Sequence, residues 1–246
     1  MSKVYDALEH ARKERTVFAE LPSCPTVVLP VAPPKQGPEV DMEQEMLTLY
    51  QTITASLPTV DHPAVLFVGS RSNEGTSTVV RELARIVSLR LEKRVLLIDL
   101  DRSRPDLHVY VSPKQEKRED NADAPVSIET SLRQVEESSL YVMPLCESTL
   151  HTPRTLNAVK SGAFWEPLRE KFELIIVDSP PATRFPDGPG IVSQVDGVLI
   201  VVEAEKTRWQ VASAVKEMIV KHGGNILGIV FNKRQYYIPQ FIYQYL

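Results

Sequence analysis

Cysteine is scarce in this chain: there are two, Cys24 and Cys146, among 246 residues. They stand at no metal-ligand spacing, and one distant pair makes no disulfide framework. The expectation is two free thiols in a reducing compartment. Long apolar runs are missing as well, since no stretch approaches the roughly 20 residues of a membrane helix. The opening, MSKVYDALEHARKER, carries charge throughout and lacks the apolar core of a signal peptide. A cytoplasmic chain is therefore expected, at most peripheral at the inner face of the cell membrane. Positive charge is not in excess: 28 Lys and Arg stand against 32 Asp and Glu, a net charge of -4. That balance argues against a general nucleic-acid binder, which shows a basic stripe. There is no internal repeat. What remains, 43% hydrophobic and 24% charged residues, is ordinary for a soluble globular protein. The length suits one well-buried α/β domain with an appended arm.

Four segments are expected. Residues 1–17 hold a short helix, with Val4, Ala7, Leu8 and Ala11 on one face and Lys and Arg on the other. It is either a surface helix of its own domain or a docking helix for a partner or an acidic membrane. Residues 18–40 hold six prolines, Pro22, Pro25, Pro30, Pro33, Pro34 and Pro38, and predict an extended linker. A body follows over 41–235, and a tyrosine-rich tail over 236–246. The body opens with a helix over about 40–57. Short, nearly continuous β-branched runs then appear at 64–69, 94–99, 173–178, 197–202 and 226–231, with a weaker one near 139–143. Such runs suit strands buried on both faces of a parallel sheet. Helical patterns at 77–91, 153–170 in pieces and 207–222 separate them. Strands alternating with helices predict a doubly wound, mostly parallel α/β sheet flanked by helices. The polar stretch 113–127 predicts a surface loop.

The first strong strand ends in Gly69-Ser70-Arg71-Ser72-Asn73-Glu74-Gly75-Thr76-Ser77-Thr78. Strand, small-residue loop and helix are the setting of a phosphate-binding loop, whose backbone N–H groups and helix N-terminus face phosphate oxygens. The usual pattern is GxxxxGK[ST]. Gly75 takes the second glycine and Ser77 the hydroxyl that ligates Mg²⁺. Ser70 replaces the first glycine. Thr76 replaces the lysine, a loss of one charge-assisted phosphate bond of about 1.5–3 kcal/mol. Nucleotide binding is then expected to be weak, with little or no catalysis. The nucleotide-binding candidates are Ser70, Arg71, Asn73, Glu74, Gly75, Thr76, Ser77 and Thr78.

Two further strands end in carboxylates. One runs into Asp99-Leu100-Asp101-Arg102-Ser103-Arg104. Paired carboxylates at a strand's C-terminal end lie beside the ligand crevice of an open α/β sheet. They can hold Mg²⁺ or take a proton from an incoming hydroxyl, or they can be turn residues. The other strand ends at Asp178-Ser179-Pro180-Pro181, the arrangement of the acid that positions Mg²⁺ in P-loop proteins. The last strand ends at Asn232, whose amide has the donor and acceptor to read an adenine edge.

In this order the motifs resemble the bacterial tyrosine autokinases (BY-kinases) of capsule and exopolysaccharide synthesis, within the MinD and ParA-like P-loop ATPases. Members read approximately SxxPxEGKST, LLIDxDxRxP, IIDxPP and LGxVxN, then a tyrosine-rich tail. Here stand SRSNEGTST, LLIDLDRSRP, IIVDSPP, LGIVFN and YYIPQFIYQYL, and MSKVYDALEHA is similar to the start of stand-alone members. The resemblance implies ATP or ADP and Mg²⁺ as ligands. It implies catalytic roles for Asp99, Asp101 and Arg104, and metal roles for Ser77, Asp99 and Asp178. Asp187 falls near a further family aspartate. Tyr236, Tyr237, Tyr243 and Tyr245 would be phosphate acceptors in a neighbouring subunit, or aromatics that simply pack. Arg71 stands where the MinD and ParA group carries an extra signature lysine; it is either a solvent-facing arginine or a partial substitute for the missing cation. The family's oligomerisation motif is reduced to Glu45, with Thr48 and Gln51 where arginines would stand. The implied partner is a membrane-bound chain-length or export protein. Three activities fit these residues: a tyrosine autokinase, a non-catalytic nucleotide-binding regulator, and a MinD or ParA-like positioning ATPase.

Overall fold

The computed structural model describes residues 26–27, 42–100, 132–135, 138–144, 159–184 and 188–234. In chain order the elements are β1 (Thr26–Val27), α1 (Met42–Ser56), β2 (Ala64–Gly69), α2 (Thr76–Arg90), β3 (Val95–Asp99), β4 (Arg133–Val135) and β5 (Leu140–Pro144). There follow α3 (Gly162–Lys171), β6 (Leu174–Asp178), a 3₁₀ turn (Ala182–Arg184), α4 (Gly188–Val192), β7 (Gly197–Glu203), α5 (Trp209–Lys221) and β8 (Ile226–Asn232).

The strands form one eight-stranded sheet in the order β1-β4-β5-β3-β6-β2-β7-β8. From β5 to β8 every neighbouring pair is parallel. Only β4 runs antiparallel to its neighbour β5. The doubly wound, mostly parallel sheet expected from the alternation is the fold observed. Its central strands are buried along their whole length in β2, β3 and β6. This is why they read as continuous apolar runs rather than as alternating ones.

Alternation of side chains divides the core in two. Val65, Phe67, Leu97, Ile176 and Val201 pack with Met46 and Ile53 of α1 and with Val80, Leu83 and Val87 of α2. Leu66, Ile98, Val177 and Ile200 pack on the other face with Trp165 and Leu168 of α3, Ile191 and Val192 of α4, and Val215 and Ile219 of α5. Phe67 is fully buried, a contribution of about 1.5–3 kcal/mol from its side chain alone. At the sheet's N-terminal end Asp196 accepts from the Ala64 N–H at 2.7 Å and from Arg169 at 2.5 Å. Arg169 also donates to the His62 carbonyl at 2.8 Å, so β2, α3 and the turn before β7 are tied together there.

Three elements have no counterpart in the sequence expectations: β1, β4 and α4. β1 lies inside the proline-rich 18–40 segment expected to be linker, and its Thr26 and Val27 pair with Gln134 and Val135. The N-terminal helix, the 113–127 loop and the tyrosine tail lie outside the described residues.

Neighbouring strands β2 and β6 send their connections to opposite faces of the sheet. The one after β2 leads through α2, and the one after β6 through α4. Such a divergence opens a crevice beyond the strands' carboxyl ends, where open α/β sheets bind ligands.

Candidate nucleotide-binding site

The loop from Gly69 to Gly75 occupies this crevice. Gly75 is the N-cap of α2 with φ 87°, a left-handed conformation that favours glycine. A Cβ there would also come within 2.2 Å of Asn232 Nδ2. Gly69 is required by contact: a Cβ on it would meet Thr76 Oγ1 at 2.6 Å. The Thr76 side chain is therefore folded back over Gly69, and it is buried. The N–H groups of Thr78 and Val79 already return to the Gly75 carbonyl at 3.1 and 3.0 Å.

Glu74 holds the loop in shape. Its carboxylate is 2% exposed. It accepts from the Ser70 hydroxyl at 2.6 Å, the Arg71 N–H at 2.7 Å and the Thr207 hydroxyl at 2.5 Å. A buried carboxylate is tolerable only with such a set of donors. Thr207 lies in the turn between β7 and α5, so this carboxylate ties the loop to the next crossover. Asn232 braces the other side: its Nδ2 donates to the Glu74 carbonyl at 2.8 Å, and its Oδ1 accepts from the Lys233 N–H at 2.9 Å. The Lys233 ammonium donates to the Asn73 carbonyl and stands 3.3 Å from Glu203 Oε2.

Ser70, Glu74 and Asn232 spend side-chain hydrogen bonds on the loop's own construction. One donor and one lone pair of the Asn232 amide, expected at an adenine edge, serve the loop and Lys233. The whole run from Arg71 to Thr78, Thr76 included, lines a concavity with Ser179 and Pro181. Arg71 and Asn73 are exposed on its rim. Ser179 is buried, with its hydroxyl donating to the Phe67 carbonyl at 2.8 Å.

Asp99 and Asp178 end adjacent strands in exact register with one another. Both are buried, at 7% and 3% exposure. Neighbouring strands lie about 4.8 Å apart, and the alternation puts both residues on the α2 face, beside the loop. Two close carboxylates repel unless a cation or proton sits between them. Their hard oxygen donors suit Mg²⁺, which takes one or two carboxylates and completes its shell with substrate phosphates and water. Among the described residues no group of three or more His, Cys, Asp or Glu makes a metal cage, so Ser77 and a phosphate would have to contribute. Asp101, Arg104 and Asp187 lie outside the described residues, as do Tyr236, Tyr237, Tyr243 and Tyr245.

Sequence reasoning missed Thr207 and Lys233 as parts of the site. Thr207 belongs to no motif and reaches Glu74 across 133 positions of sequence. Lys233 carried a signal, since it follows directly on Asn232 at the end of a core strand.

Sheet order, phosphate loop and paired carboxylates define a P-loop α/β protein. Known proteins narrow the class. No protein-family model matches the chain. The tyrosine-protein kinase Ptk of Acinetobacter johnsonii is 26% identical over 209 residues, which are 84% of this chain. The chain spans 28% of that relative's length. Among solved structures, the kinase domain of the Escherichia coli tyrosine kinase ETK superposes with a TM-score of 0.65 at 16% identity, covering 80% of this chain and 78% of that one. The Aquifex aeolicus cell division protein MinD gives 0.53 at 22% identity, with 68% of each chain covered. The chain is similar over most of its length to bacterial tyrosine-protein kinases, and its fold is the P-loop fold that their kinase domains share with MinD and ParA-like ATPases.

Proposed function

We propose that this chain binds Mg-nucleotide in the crevice and acts as a tyrosine autokinase-like protein of exopolysaccharide or capsule synthesis, with weak activity. The observation that carries the reading is the pairing of Asp99 with Asp178, buried in register beside the Gly69–Gly75 loop. The loop's N–H groups would hold the phosphates, and Ser77, Asp99 and Asp178 would hold Mg²⁺. The metal would supply charge neutralisation on the transferring phosphoryl group. Asp99 and Asp101 would accept the proton of the attacking tyrosine hydroxyl, with Arg104 beside them. Tyr236, Tyr237, Tyr243 and Tyr245 are the proposed acceptors on a neighbouring copy. Each phosphate adds about -1.5 to -2 charge, enough to loosen an assembly docked through its tails. The chain would work beneath a membrane-bound chain-length or export protein, a partner that the resemblance to the capsule and exopolysaccharide kinases implies.

One observation favours a second reading, a non-catalytic nucleotide-binding regulator of the same membrane complex. Thr76 is packed against Gly69 in place of the lysine that would reach the phosphates. Phosphotyrosine mass spectrometry after incubation with ATP and Mg²⁺ separates the two. The kinase reading expects modified tail tyrosines that disappear in Asp101→Asn. Unmodified tyrosines in a chain that still binds Mg-ATP would leave only the regulator.

A further inference from the structure

Thr76 stands at the position that normally carries the phosphate-binding lysine, and a lysine reaches the loop from another strand. We propose that Lys233 is the cation of the nucleotide cradle and contacts the ligand's phosphate chain. This rests on the nucleotide-binding reading above and deepens it.

The placement of Lys233 is specific. Its φ is 57°, a left-handed conformation that is unusual for a residue other than glycine. The bond from its N–H to Asn232 Oδ1 accompanies this turn. The turn carries the side chain from the end of β8 across to the loop. Its Cε comes within 3.8 Å of the position a Cβ would take on Gly75, and its ammonium donates to the Asn73 carbonyl. Asn73 is itself left-handed, with φ 71°. The side chain is 35% exposed, and its ammonium lies on the carbonyl of Asn73, a residue that lines the concavity.

An ammonium has three donors. The Asn73 carbonyl and Glu203 Oε2 take two of them, and one remains for a phosphate oxygen. Glu203 competes with a ligand for this charge, but it also pairs with Lys206 at 3.1 Å. It therefore keeps a partner when Lys233 turns to a phosphate. Arg71, the other cation of the loop, is exposed on the rim and is joined to Glu74 through its backbone N–H.

The test is calorimetric titration of the full chain with Mg-ADP and Mg-ATP at two salt concentrations. The proteins are wild type, Lys233→Gln, Lys233→Arg, Arg71→Gln, Glu203→Gln and Thr76→Lys. Loss of the Lys233 charge is expected to weaken binding by about ten- to a hundredfold and to flatten its salt dependence. Lys233→Gln keeps a donor for Asn73, so that loss belongs to the charge and not to the brace. Lys233→Arg is expected to retain most of the affinity, and Glu203→Gln to increase it. The Lys233→Gln loss should exceed that of Arg71→Gln by at least about fivefold. Equal weakening by Lys233→Gln and Lys233→Arg, a larger loss in Arg71→Gln, or no loss in Lys233→Gln overturns the proposal. Binding by Thr76→Lys alone also overturns it and leaves the nucleotide site standing. Failure of both wild type and Thr76→Lys to bind removes the nucleotide reading and this inference with it.

Discussion

Gly75 and Glu173 show two ways in which a single residue sets the behaviour of this fold. Gly75 is left-handed and pressed against Asn232, so Gly75→Ala incurs both backbone strain and a clash. The expected loss is about 1–3 kcal/mol of stability, read as a lower melting temperature and as faster amide exchange at the start of α2. Glu173 sits far from the site, before β6. Burial pushes its carboxyl up, but the Lys93 ammonium at 2.8 Å and the Arg94 N–H at 3.0 Å win, and the carboxyl is held below the ordinary range. A carboxyl depressed on folding contributes stability that is present above its unfolded pKa of about 4.3. That stability is lost as pH falls through the folded value. Glu173→Gln should therefore lower stability near pH 7 by up to about 1 kcal/mol, since the pair is partly exposed. The melting-temperature difference from wild type should close as pH is taken from 6 to 3. A difference that stays constant over that range would refute the assignment.

Among the elements, the strands that the sequence made legible are the continuous apolar runs, buried on both faces in β2, β3 and β6 and only partly buried in the edge strand β8. AVLFVG became β2 at the expected residues, and the runs near 95, 174, 197 and 226 became β3, β6, β7 and β8 within a residue or so of their expected limits. β1 and β4 have two and three residues, too few to show any period. α4 begins GPG, which reads as a loop because glycine and proline are poor helix formers. The loop and both strand-end carboxylates were legible because their chemistry forces residue types at short spacing. The bracing was not, because Thr207 and Lys233 meet the loop only through the sheet order. Thr207→Val tests that bracing. It removes one donor from a buried carboxylate, for an expected loss of about 1.5–3 kcal/mol in urea denaturation, together with weaker nucleotide binding. Unchanged stability would mean that the β7–α5 turn does not hold the loop.

At the scale of the whole molecule, two apolar layers clamp a parallel sheet, and everything chemical gathers at its carboxyl edge. The sheet order brings β2, β6 and β3 side by side, so three segments distant in sequence deliver the loop, Asp178 and Asp99 to one crevice. β7 and β8 lie on the other side of β2 and deliver Glu203, Asn232 and Lys233. The loop is held by Glu74, Thr207 and Asn232, none of which depends on the absent lysine. The cradle therefore keeps its shape with threonine at residue 76. The central proposal follows from this: nucleotide would be held through backbone groups, metal and an outlying cation. The most direct measurement is calorimetric titration of the purified chain with ADP, once with Mg²⁺ and once with a chelator. The account predicts saturable binding that requires Mg²⁺ and is weaker than that of Thr76→Lys. No binding at millimolar ADP by either protein would contradict it.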